Sequence, residues 1–163
     1  RAIEIEPETA QLYASRSWTF RGMGDNGSAE ADLTRAIELD PGCSWFWRDR
    51  ANFYRDIGAL DAALADYDRA IELGPGDSWF FIDRGWAYWN LGQHDAAIDD
   101  WSAAIEMDPS MPWHWWDRAN GYANTGDWDA ARADFEEFLR LSEENPEEYE
   151  GPRSEAEAWL AQH

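Results

Sequence analysis

Arg-Ala-Ile-Glu-Leu-Asp-Pro at residues 35–41 decides the fold, because the same text returns at a fixed interval. Arg-Ala-Ile-Glu-Ile-Glu-Pro stands at 1–7, Arg-Ala-Ile-Glu-Leu-Gly-Pro at 69–75 and Ala-Ala-Ile-Glu-Met-Asp-Pro at 103–109, so Pro7, Pro41, Pro75 and Pro109 are each 34 residues apart. A period between 20 and 50 residues marks a repeat array and overrides any single-domain reading. Units drawn at 10–43, 44–77, 78–111 and 112–145 align Tyr13, Trp47, Phe81 and Trp115, each seven residues before Phe20, Tyr54, Tyr88 and Tyr122. Seven residues are two helical turns, so each pair shares one helix face.

Within each unit, Gly24, Gly58, Gly92 and Gly126 stand where one helix should end, since glycine accepts the left-handed conformation of a helix C-cap. A second helix is expected to follow. It carries Ala29, Ala63, Ala97 and Ala131, then Leu33, Tyr67, Trp101 and Phe135, then Ala36, Ala70 and Ala104. The proline then stops it, lacking an N–H and clashing with the preceding turn. In the fourth unit Phe138 and Glu143 replace the small residue and the proline, so the regular array ends there. After the turn signal Gly151-Pro152, residues 153–162 read as a terminal helix whose Ala156, Trp159 and Leu160 cover the last unit.

Composition agrees with helix. The 163 residues hold 12 Trp and no Val, a poor mixture for a pleated sheet that prefers β-branched residues. Asp and Glu number 34 against 13 Arg and no Lys, a formal charge of -21, which argues against nucleic acid and anionic lipid as partners. Cys43 is the single cysteine and closes no intrachain disulfide; no apolar run reaches the ~20 residues of a membrane span. Residues 1–6 show no signal peptide, and localisation stays open. Residues 1–9 read as the end of a preceding partial unit, and 146–163 as the capping segment.

The phased order of aromatic, small, aromatic, Ala, aromatic, Ala and Pro resembles the tetratricopeptide repeat. The resemblance covers nearly the whole chain. It implies an all-α, right-handed superhelical solenoid of helix-turn-helix repeats with a C-terminal capping helix. One departure is systematic: Arg16, Arg50, Arg84 and Arg118 stand where the family often has Leu. The second helices answer once per unit with Asp32, Asp66, Asp100 and Asp134. A partly buried guanidinium needs a matched acceptor, so these residues read as a structural ladder of ion pairs joining the two helices of each unit.

In this family certain positions of the first helices face a concave groove. Carried over by phase, they hold Trp45, Trp79 and Trp113 at the second place, and Trp86, Trp89 and Trp116 further along. Interleaved are Asp49, Asp83 and Asp117 at the sixth place, with Asn52, Asn120, Asn90 and Asn124 beyond. The resemblance implies a non-catalytic scaffold for a protein or peptide, and this Trp, Asp and Asn stripe suits a basic or neutral segment. The same mixture suits a carbohydrate, whose rings stack on indoles. Head-to-tail stacking of repeat ends into a homo-oligomer is a third reading. The acid excess also fits adaptation to high salt, with no ligand implied.

Nothing in the sequence assembles catalysis. His94, His114 and His163 are scattered, and Cys43 has no histidine at recognisable spacing. No phosphate loop, metal-ligand spacing or calcium loop is present, so no catalytic residue, metal or cofactor is expected.

Overall fold

The computed structural model describes residues 9–163, and among these every regular element is a helix. Four helix pairs follow the period: α1 (Ala10–Gly22) with α2 (Asn26–Leu39), α3 (Ser44–Asp56) with α4 (Leu60–Leu73), α5 (Ser78–Asn90) with α6 (His94–Met107), and α7 (Pro112–Thr125) with α8 (Trp128–Leu141). A 3₁₀ turn at Ser142–Glu144 and α9 (Glu150–Leu160) complete the chain. Pro7 and the partial unit expected at its start lie outside the described residues, apart from Thr9.

The repeat text explains where each helix stops. Gly24, Gly58, Gly92 and Gly126 have φ of 74°, 80°, 76° and 89°, the left-handed region where a Cβ would be strained. The amide after each glycine bonds back to the carbonyl of the recurrent aromatic, Phe20, Tyr54, Tyr88 or Tyr122, at 2.8–3.0 Å. That satisfies carbonyls otherwise orphaned at a helix end. Asp25 and Asp127 then accept from the backbone N–H of Ser28 and Ala130, capping α2 and α8. Helices α2, α4 and α6 end at Leu39, Leu73 and Met107, two residues before their prolines.

The chain divides into two compact units, Arg1–Phe80 and Phe81–His163, with the boundary inside α5. In the first, Ala14, Ala36, Ile37 and Phe46 form one buried cluster and Ala29, Leu33 and Phe53 another. The periodic small residues let paired helices approach while the rings fill the space between them.

In the second unit Trp101 is fully buried. A Cβ built on Gly85 would lie 2.5 Å from its Nε1, and one on Gly121 would lie 2.6 Å from its Cζ3. The largest side chain found at this repeat position is therefore seated between two helices that each present a glycine to it. Its indole N–H donates to Ile82 O at 3.4 Å.

Helix α9 begins three residues before the expected start. Gly151 and Pro152 lie in its first turn, where a missing N–H costs nothing because that group has no intrahelical partner. Ala156 and Tyr149 are buried with Phe135 and Phe138, and Trp159 and Leu160 pack against them. Arg153 fixes the helix by donating to Leu139 O at 2.8 Å and Ser142 Oγ at 2.7 Å.

Candidate functional site

Each ladder arginine meets the aspartate sixteen residues on. Arg50 Nε and Nη2 donate to the two Asp66 oxygens at 2.7 and 2.8 Å. Arg84 does the same to Asp100 at 2.8 and 2.7 Å, and Arg118 to Asp134 at 2.7 and 2.9 Å. Arg16 is paired to Asp32 in the same fork. Arg50 also reaches Thr34 Oγ1 and Arg118 reaches Ser102 Oγ, each in the preceding repeat.

Each guanidinium also lies between the two recurrent aromatics of its own helix, as Arg118 does between Trp115 and Tyr122, 5.3 and 5.7 Å from their centroids. Coulombic, hydrogen-bonding and cation–π contacts thus converge on one side chain. Side-chain exposure is 16% for Arg50 and 17% for Arg118, but 43% for Arg16.

The stripe of the first helices differs between the units. In the first, Trp45 is 45% exposed, packs edge-on against Phe80 at 5.2 Å, and carries the Arg48 guanidinium 5.2 Å from its ring. Trp18 is more exposed still, with Arg21 over its ring at 4.6 Å; Arg21 is also paired to Asp56. Trp79 and Asp49 are half-buried. Asn52 accepts a hydrogen bond from the hydroxyl of buried Tyr67, so its oxygen is committed to the fold.

In the second unit the indoles lean into the protein. Trp86 and Trp89 pack on Trp101 at 5.2 and 5.6 Å, and Trp89 stacks on His94 at 4.1 Å. Trp116 packs on Phe135 and Phe138, and Trp113 on Tyr149 at 5.2 Å. All four are half-buried.

Asn120 and Asn124 turn their NH₂ groups to Trp116 O and Asn120 O on their own helix, and Asn90 is exposed. Among the described residues no group of three or more His, Cys, Asp or Glu is arranged to hold a metal ion.

The sixth-place aspartates are not equivalent. Asp83 is half-buried, whereas Asp117 is only 9% exposed. Burial pushes the Asp117 carboxyl up to about 7; the Trp86 side chain hydrogen-bonds to it and opposes the rise, while the Asp83 charge adds to it. His114, one turn earlier, is fully buried, and burial pushes its imidazole down. It is a neutral packing residue at physiological pH.

Two features escape a reading by phase. Tyr149 covers Trp113 from outside the repeats, and Trp128, Trp159 and His163 form a stack with centroids 4.5–6.0 Å apart. The fit of Trp101 did leave a signal. The eighth place reads Ser17, Ala51, Gly85, Ala119, and it is smallest in the unit whose twenty-fourth place, in the series Leu33, Tyr67, Trp101, Phe135, is largest.

The family model for the tetratricopeptide repeat matches residues 16–78 and 82–146. Among solved structures, the crystal structure of MamA superposes with a TM-score of 0.77 at 20% identity, covering 90% of this chain and 85% of MamA. PilF of Pseudomonas aeruginosa gives a TM-score of 0.77 at 17% identity, over 99% of this chain and 78% of PilF. The first tetratricopeptide domain of Spaghetti (RPAP3), bound to the HSP90 peptide SRMEEVD, gives 0.66 at 18% identity, over 73% of this chain and 94% of that domain. These likenesses show the fold alone. None of the curated proteins matches this sequence.

Proposed function

We propose a ligand for this chain from the premise that it belongs to the tetratricopeptide-repeat family, a fold that serves as a scaffold for protein interaction. The chain is a non-catalytic scaffold that holds a basic or neutral peptide segment against the stripe of its first helices. One observation carries this reading: the ladder arginines are turned to Asp32, Asp66, Asp100 and Asp134, while the stripe sets Asp83 and Asp117 beside the Trp86 indole. A strip of indole and carboxylate attracts a cation and repels an anion. The Spaghetti (RPAP3) domain was solved with an acidic peptide; this chain, with a formal charge of -21, selects the opposite sign.

The test is a tryptophan-fluorescence titration with arginine-rich, neutral and acidic peptides and with soluble oligosaccharides, at low and high salt. The arginine-rich peptide should bind, weaken with salt and lose affinity in Trp45→Ala and Trp79→Ala, while SRMEEVD should not bind. Binding of oligosaccharides with no response to either class of neutral or basic peptide would replace this reading with a carbohydrate groove. Light scattering on the same samples checks head-to-tail association.

A further inference from the structure

Asn26 and Asn120 are each followed by glycine, whereas Asn52, Asn90, Asn124 and Asn145 are followed by Phe, Leu, Thr and Pro. An Asn-Gly pair carries a reaction of its own. The glycine nitrogen can attack the side-chain carbonyl carbon of the asparagine, and a residue without a Cβ neither blocks that approach nor restricts the backbone rotation it needs. The fold treats the two pairs in opposite ways.

Asn26 is the first residue of α2, and both it and Gly27 are exposed in the turn that follows α1. The one side-chain atom that a Cβ built on Gly27 would meet is Asp25 Oδ1, at 3.9 Å, so the space around the reacting peptide is open. Asp25 holds the amides beyond it, Ser28 N at 3.1 Å from Oδ1 and Ala29 N at 3.1 Å from the backbone oxygen. The Gly27 N–H lies in a first turn, which has no intrahelical acceptors, and among the described residues no acceptor holds it. Asn120 and Gly121 lie inside α7 instead. The Asn120 side-chain nitrogen donates to Trp116 O at 2.8 Å, and Gly121 is buried, its place for a Cβ 2.6 Å from Trp101 Cζ3. No rotation there is free of the core.

We propose that Asn26 is a site of spontaneous deamidation in the folded chain, and that the fold shields Asn120 from the same reaction. The Gly27 nitrogen gives its proton to solvent and bonds to Asn26 Cγ; the Cγ–Nδ2 bond breaks, and the side-chain nitrogen takes a proton from solvent and leaves as ammonia. One water then opens the five-membered imide. Addition at Cγ returns an aspartate, and addition at the main-chain carbonyl carbon gives an isoaspartate. The net change is ammonia lost, water gained and one negative charge added, with nothing oxidised or reduced. Helical geometry holds the reacting atoms apart, so the reaction waits on fraying: at Asn26 of one capped turn, at Asn120 of α7 against Trp101. The aspartate product sets its charge at the positive end of α2, which accepts it. The isoaspartate product lengthens the main chain between Asp25 and Ser28 and breaks the cap.

The test incubates the intact chain at neutral pH in water enriched in heavy oxygen, with and without urea. Cleavage after arginine separates the two pairs, on peptides 22–35 and 119–132, and mass spectrometry reads each. In the folded chain Asn26 should exchange ammonia for one heavy oxygen, and Asn120 should react slower by at least about a hundredfold, since α7 must open first. In urea that gap should close. Gly27→Ala, for which the turn has room, should slow Asn26 by at least about two- to fivefold and leave Asn120 unchanged. Equal rates in the folded chain, or an Asn26 that reacts only in urea, overturn the proposal. A gap that persists undiminished in urea also overturns it, because flanking sequence and not the fold would then set the difference.

Discussion

Replacing Asp117 by Asn should stabilise the fold, and by an amount that depends on pH. The folded chain holds this carboxyl at about 7 against an ordinary 3.8, a displacement of about 4 kcal/mol at its full extent. Because the raised group keeps its proton in the folded state while the unfolded chain has already released it, unfolding sheds a proton between pH 4 and pH 7. Stability from this group is thus complete in acid and falls as pH rises through about 7.

Between pH 5 and pH 8 the cost grows by about 2–3 kcal/mol, and Asn, neutral throughout and still an acceptor for the Trp86 indole, does not incur it. Urea unfolding of wild type and Asp117→Asn at both pH values, followed by circular dichroism, measures the difference directly. The advantage of the variant should widen by a midpoint shift of about 1 M urea from pH 5 to pH 8. An advantage of equal size at both pH values, or a variant less stable than wild type at pH 8, refutes the reasoning, because either result means that Asp117 is ionised without strain in the folded protein.

Further substitutions probe the scaffold. Asp66→Ala leaves the well-covered Arg50 without its fork and should cost about 3 kcal/mol, whereas Asp32→Ala, beside the more open Arg16, should cost about 1 kcal/mol, both read by denaturant unfolding. Gly121→Ala should destabilise by about 1–3 kcal/mol despite the better helix propensity of alanine, because its Cβ meets Trp101; Trp101→Phe in the same chain should recover part of the loss in a double-mutant cycle. Trp159→Ala removes a ring packed on Phe135 at 5.0 Å and should lower stability by about 3 kcal/mol, with loss of hydrogen-exchange protection concentrated in α8 and α9.

The helix pairs were legible because their grammar is local: a glycine in the left-handed region, a proline two residues past a helix, and a small residue at each helix crossing need no tertiary knowledge. The start of α9 was misplaced by three residues because Gly151-Pro152 ends helices and begins them with equal ease. The stripe was legible as a face but not as a surface. Phase places Trp45 and Trp113 alike, yet Trp45 is open and Trp113 lies against Tyr149, a residue outside the repeats. Phase also equates Asp83 with Asp117, yet Asp83 is half-buried and Asp117 is buried with the Trp86 side chain of the neighbouring repeat hydrogen-bonded to it.

The seat of Trp101 makes the repeats individually addressed parts. In the first unit Leu33 meets Phe53, a modest side chain against a ring, while in the second Trp101 meets Gly121, a large ring against none. Leu33 and Trp101 hold the same place in their repeats, and Phe53 and Gly121 hold the same place in the repeats that follow. Transplanting α6 into the slot of α2 would drive an indole into Phe53, and the reverse exchange would leave a hole above Gly121. The order of modules along the array is thereby written into steric keys, so averaging these four repeats into one idealised unit would discard the information that keeps each in its own slot.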